Sequence, residues 1–209
     1  MFVKNHKYFM EKAYKLAEEA YTQNEVPVGC VIVRNNEVIS FGHNMTNQLS
    51  NPLAHAEVVA IKQGLNSGLI TESDFKNHDK NLMCIQDSSY NVTDFYNIQF
   101  FSNNAIHNEE KTLLGEFRNK TINKKSNHLH FYVNLEPCGM CTEILHQFNC
   151  CYFYTCRNNI FGGNTVLKIN NKNKGFFFDD EERSINLLKL FYKRENLNAP
   201  EDIRKCKGA

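Results

Sequence analysis

Residues 128–156, "HLHFYVNLEPCGMCTEILHQFNCCYFYTC", constrain the fold more than any other stretch of this chain. A run rich in β-branched and aromatic residues leads into a helical segment, "GMCTEILHQF", and then into a second apolar run, "CCYFYTC". Strand, helix, strand is the ordinary wiring of a parallel sheet, because parallel neighbours need a crossover between them. The same stretch carries Cys138 and Cys141 at the strand-to-helix turn. A Cys-x-x-Cys there suits a redox dithiol, a structural zinc knuckle or part of a catalytic metal site, since each uses thiolates stabilised by the positive end of a helix. The motif alone leaves all three open.

Upstream, Phe9, Ala13, Leu16, Ala17 and Ala20 recur at helical spacing, which predicts an amphipathic helix from about Asn5 to Gln23. "VPVGCVIVRNNEVISFGHN" then gives β-branched runs on either side of Asn35-Asn36, a hairpin signature. Asn51 is a candidate cap with Pro52 at the first helical position, and "LAHAEVVAIKQGL" continues an apolar helix through His55. Residues 66–127 are crowded with Asn, Ser, Lys and Asp and lack a sustained period, so they read as a flexible surface insertion. A last amphipathic helix is expected from about Glu181 to Arg194, with Ile185, Leu188, Leu190 and Phe191 as its buried residues; residues 195–209 form a C-terminal tail. No Pro/Gly/Ser-rich linker divides the chain, so residues 1–209 are expected to form one domain around one core.

A net charge of +1 argues against a general nucleic-acid sponge or a membrane-surface protein. The N-terminal "MFVKNHKYFMEKAYK" breaks its apolar residues with charges, and no run of about 20 apolar residues is present to span a bilayer. An intracellular location, cytoplasm or nucleus, is expected, with no membrane partner. In that setting the eight cysteines (Cys30, Cys84, Cys138, Cys141, Cys150, Cys151, Cys156 and Cys206) are expected to be reduced, some of them on metal.

His55 and Glu57 stand at the start of one predicted helix, Cys138 and Cys141 at the start of another. Catalytic zinc takes three protein ligands and keeps a fourth position for water, whereas structural sites are closed by four. His55, Cys138 and Cys141 supply three, and no second Cys-x-x-Cys or His-x-x-His pair closes the shell. Two thiolates and a neutral imidazole cancel the charge of the ion, so the water needs a base, and Glu57 is placed to serve. Residues two apart on a helix do not share a face, but an ion over the first turn is within reach of both. H-x-E with P-C-x-x-C is the signature of the zinc-dependent nucleobase deaminases. A redox dithiol leaves His55 and Glu57 without a role. Cys30, Cys84, Cys150, Cys151 and Cys156 are expected to be packed or free thiols, and His128, His130 and His146 exposed or structural.

The blocks "EVPVGCVIV", "GHN", "AHAEVVAI", "LEPCGMC", "FGGN" and "LLKLFYKRENLNAP" resemble the eukaryotic transfer-RNA adenosine deaminases, which make inosine at the anticodon wobble position, and within them the catalytic subunit. The resemblance covers most of the chain outside the Asn-rich insertion. It implies a three-layer α/β/α sandwich with a mixed sheet of about five strands, a zinc cofactor, an anticodon-loop substrate and a heterodimer with a related inactive subunit, or a homodimer in its absence. With Glu57 present, the chain resembles the active partner rather than the inert one. The resemblance also places Asn44 where the family binds the flipped base, with Val26, Ala56 and Pro137 at pocket walls and backbone contacts. The tail's Arg204, Lys205 and Lys207 are a thin version of the family's basic C-terminus, and much of the phosphate-binding surface is expected from the partner and the tail together. A free cytidine or deoxycytidylate deaminase is the alternative, sharing the zinc motif but not the "EVPVG" and C-terminal blocks.

Overall fold

The computed structural model describes residues 5–76, 128–159, 162–168 and 173–195, apart from the side chains of Glu72 and Asn164. Helix α1 spans His6–Thr22, where the Asn5 side chain caps its first turn by accepting from the Tyr8 N–H. Strands β1 (Gly29–Arg34) and β2 (Glu37–His43) form a hairpin. Asn35 and Asn36 both take positive φ, 53° and 64°, as a two-residue turn between right-twisted strands requires. Helix α2 covers Ala56–Asn66, β3 Leu129–Val133, α3 Gly139–His146, β4 Cys150–Tyr154, the short α4 Asn164–Leu167, β5 Gly175–Phe177 and α5 Glu181–Tyr192. None of the described helices is long and apolar enough to cross a membrane.

The five strands form one mixed sheet in the order β2-β1-β3-β4-β5. β1 is antiparallel to β2 and β3, while β3, β4 and β5 run parallel. Alternation along the strands divides the core into two layers. Cys30, Ile32, Leu129, Phe131, Val133, Cys150, Tyr152 and Tyr154 face α2 and α3, against Ala56, Ala60, Ile61 and Leu145. Val31, Val33, Tyr132, Cys151 and Phe153 face the opposite way, against Phe9, Met10, Ala13, Tyr14 and Leu16 of α1. The β-strand period of two fixes this partition, since a one-residue slip would exchange the layers. On the α2 side the helix lies directly on the sheet: a Cβ on Gly42 would come within 2.7 Å of the Ala60 backbone nitrogen.

Three expectations change. Helix α2 starts at Ala56 with His55 as its N-cap, not at Pro52. The Asn51 side chain instead accepts from the Leu53 N–H, and Ala54 accepts from the Met45 N–H, so residues 51–54 form a turn tied to the end of β2. The Asn-Pro signature is satisfied locally by an Asx turn, which competes with helix initiation. In α5 only Ser184 is buried, Leu190 is half exposed, and Ile185, Leu188 and Phe191 are partly covered. That helix is held to α1 through polar contacts, with Arg183 bonded to Glu11 and Glu18 and its guanidinium 4.0 Å above the Tyr14 ring. Finally, residues 66–76 pack onto the core rather than looping away. Ile70 is buried against α2, Phe75 bridges Phe148, and buried Asp74 pairs with buried Arg34. The remainder of that insertion and the basic tail lie outside the described residues.

Candidate metal centre

β2, β3 and β4 all point the same way, and the loops that leave their carboxyl ends carry the candidate residues. His55 is the N-cap of α2 and Cys138 the N-cap of α3, yet neither side chain caps its own helix. They turn toward each other instead. His55 Nδ1 lies 3.6 Å from Cys138 Sγ and 3.6 Å from Cys141 Sγ. The three donor atoms all lie within 4.8 Å of one another. A tetrahedral zinc ion with bonds of about 2.3 Å to sulfur and about 2.0–2.1 Å to nitrogen sets an S···N separation of about 3.5 Å. The pocket has that spacing before any ion is added, and its soft sulfur and imidazole donors suit zinc.

Glu57 follows two residues after His55, on the first turn of α2, and is only 4% exposed. Burial, and next the neighbouring Cys138 charge, push its carboxyl up to about 6. Hydrogen bonding pulls Cys138 the other way: the bond from Cys141 first and that from His55 next hold its thiol down to about 4, against burial. Cys141, which donates to Cys138 in that arrangement, is driven well up, with burial adding to the effect. His55 is raised, first by its bond to Cys138, and Glu57 adds to the rise. Negative charge is therefore concentrated on Cys138 beside an imidazole and a carboxyl poised to hold a proton. Such opposed shifts in one cluster are the environment of a metal or acid–base site.

Asn44, buried at the end of β2, donates its amide to Glu25 Oε2 at 2.9 Å and to Thr46 Oγ1 at 3.0 Å, while its backbone N–H reaches Val28 O. Val26, partly covered, closes a tight turn through its carbonyl to the Val28 N–H. Ala56 is fully buried as the first residue of α2, and Pro137 is buried with its carbonyl accepting from Thr142 Oγ1. All four stand at the same end of the sheet as the donors, Asn44 and Ala56 after β2, Pro137 after β3 and Val26 just before β1.

Three positioning residues escaped the motif reading. Glu25, fully buried, accepts from Asn44, Thr46, and the backbone N–H groups of Asn47 and Gln48, so one carboxylate folds the loop after β2. Glu136, also buried, accepts from the Asn158 and Thr165 N–H groups and from Thr165 Oγ1, which holds the loop after β4 beside α3. That loop meets the ligand turn where Cys138 bridges Gly163, and a Cβ at Gly163 would strike the Glu136 carboxyl. Asn134 bonds both Gly29 N and Pro27 O, locking β3 to the turn before β1. Their one signal in sequence is a polar residue set among apolar ones at a strand end, in "NEVPVG" and "VNLEPC".

Residues 3–84 match the family described as the cytidine and deoxycytidylate deaminase zinc-binding region. The chain is similar to tRNA-specific adenosine deaminase 2 of Xenopus laevis, 31% identical over 208 residues that cover 94% of this chain and 92% of the relative. It is also similar to tRNA-specific adenosine deaminase 2 of Danio rerio, 32% identical over 203 residues, covering 92% of this chain and 73% of the relative. A solved chain from work on A-to-I editing by tRNA:A34 deaminases at the wobble position of transfer RNA superposes with a TM-score of 0.55 at 18% identity, over 87% of this chain and 99% of that one. At that identity the likeness speaks for the fold.

Proposed function

This chain belongs to the tRNA-specific adenosine deaminases, a zinc-binding branch of the cytidine and deoxycytidylate deaminase family, and on that premise we propose that it converts adenosine to inosine at the wobble position of transfer RNA as the catalytic subunit of a heterodimer. The observation that carries the reading is the meeting of His55, Cys138 and Cys141 at two helix N-termini with the buried carboxyl of Glu57 on the same first turn.

His55, Cys138 and Cys141 would hold the zinc, which would supply the Lewis acidity that lowers the pKa of a water towards neutral. Glu57 is the proton carrier: its carboxylate takes one proton from the attacking water and passes it to a ring nitrogen of adenine, then takes the second from the oxygen now on C6 and gives it to the amine, which leaves as ammonia. A carboxyl shifted up to about 6 by burial can do both near neutral pH. Asn44 spends its amide N–H groups on Glu25 and Thr46, which leaves its Oδ1 as the atom that would accept from a donor on the nucleoside. Val26, Ala56 and Pro137 would frame the base from the turn before β1, the first turn of α2 and the loop just before α3. An anticodon loop presents unstacked bases that can enter such a pocket, which a base inside a duplex cannot.

With a net charge of +1 the chain brings little phosphate attraction of its own. We assign the missing grip to a related subunit that lacks the carboxylate. The test incubates transfer RNA with the chain alone, with the related subunit, and with both, and reads inosine by mass analysis. Conversion is expected with both together and to fall steeply as salt is raised. Rapid turnover of free cytidine or deoxycytidylate with the RNA untouched would overturn the substrate assignment.

A further inference from the structure

A second cluster of metal-binding side chains lies on the opposite face and at the opposite end of the sheet. His128, His130 and Cys151 each offer one ligand atom, and these atoms all lie within 4.8 Å of one another. The geometry follows from two strand rules. Residues two apart on a strand share a face, which puts His128 and His130 on the α1 side of β3. The parallel register then sets Cys151 of β4 directly beside His130. A single alternation and a single pairing bring together two imidazoles and a thiol.

Two further features belong to a ligand set rather than to plain packing. His130 Nδ1 is buried and has no hydrogen-bond partner, a cost that packed side chains normally avoid. His128 Nδ1 lies 3.2 Å from Asn149 Oδ1, the kind of outer hydrogen bond that orients a ligating imidazole through its other nitrogen. Burial, and next the neighbouring His128, hold His130 down to about 4, so its ring is neutral. Cys151 is 8% exposed and free of any disulfide.

We propose that His128, His130 and Cys151 form a second zinc site, separate from His55, Cys138 and Cys141, which pins the start of β3 to the start of β4. Two imidazoles and one thiolate suit a borderline-soft cation such as zinc over the hard oxygen-seeking ions. Binding displaces the Cys151 proton to solvent and forms one Zn–S and two Zn–N bonds, with no redox change. The ion would answer the orphaned nitrogen of His130.

The experiment counts zinc on the purified full chain by elemental mass spectrometry and follows cobalt as a spectroscopic substitute. Wild type is expected to hold two zinc ions, falling to one in Cys151→Ala and to one in His128→Gln, a milder change at a partly covered ring. Cobalt added to a variant with both Cys138→Ser and Cys141→Ser should give a sulfur-to-cobalt charge-transfer band that disappears when Cys151→Ala is added. Far-UV circular dichroism checks that each variant is folded. Wild type holding a single zinc that both Cys151→Ala and His128→Gln retain would overturn the proposal, and this arm needs no change at the first site. The same double variant, folded yet showing no cobalt–sulfur band, would overturn it as well.

Discussion

At the carboxyl end of the parallel strands the buried carboxylates of Glu25 and Glu136 are filled by backbone N–H groups and side chains from loops, whereas at the amino end buried Arg34 pairs with buried Asp74 and His130 sits in register with Cys151. The first arrangement fixes the path of loops that carry chemistry. The second ties one layer or strand to the next. Ligands in open α/β sheets gather at the carboxyl ends, where strands hand over to loops and helix N-termini. Changes at the two ends should therefore separate activity from stability.

The largest effect is expected at Glu57. Glu57→Ala should lower turnover by about 10²–10⁴-fold while zinc content and unfolding midpoint stay near wild type, because the carboxylate carries protons and is not a ligand. Loss of zinc in that variant would break the comparison, since Glu57 would then be part of the metal shell.

Arg34→Met tests the other end. Asp74 would be left buried without its partner, at a cost of about 3–5 kcal/mol in urea unfolding, while turnover per folded molecule stays within about threefold. A large loss of turnover at unchanged stability would show that the amino end also reaches the site.

Glu25→Gln should fall between these. The amide presents a donor to N–H groups that formerly met a carboxylate, and a hydrogen bond to a charged group contributes about 1.5–3 kcal/mol, so kcat/KM should drop by about ten- to a hundredfold. Steady-state kinetics with transfer RNA checks it, and a loss confined to stability would move Glu25 to the structural side of the comparison. The smallest effect is at Ser50, which holds a φ of 47° in the loop after β2. Ser50→Gly should raise stability by about 0.5–1 kcal/mol by relieving that left-handed backbone, read as a higher denaturation midpoint.

How far these features were legible depended on how local their causes are. The Asn35-Asn36 turn and the spacing of α1 are local, and the structure shows both. The closeness of His55 to Cys138 and Cys141 was legible because each donor sits in a short motif at a helix start. The start of α2 was misread because Asn51-Pro52 carries a cap signature that an Asx turn also satisfies. Leu190 was misread because helical spacing names an apolar face without saying what covers it. Glu25 and Glu136 were missed because their partners come from later loops. Cys151 is a buried free thiol as expected, but its nearness to His130 exists only through the register of two strands.

The donors of the first centre are also far apart along the chain: His55 precedes Cys138 by 83 residues. During synthesis α1, the hairpin and α2 emerge first, and they hold only the imidazole and the carboxyl. The thiols arrive later and reach His55 once β3 has added to the free edge of β1, the event that closes the longest loop among the described strands. The centre is therefore complete only after β3 has paired with β1. An ion that needs this pairing first would not nucleate the hairpin or α2, so those elements should form when the ion is scarce.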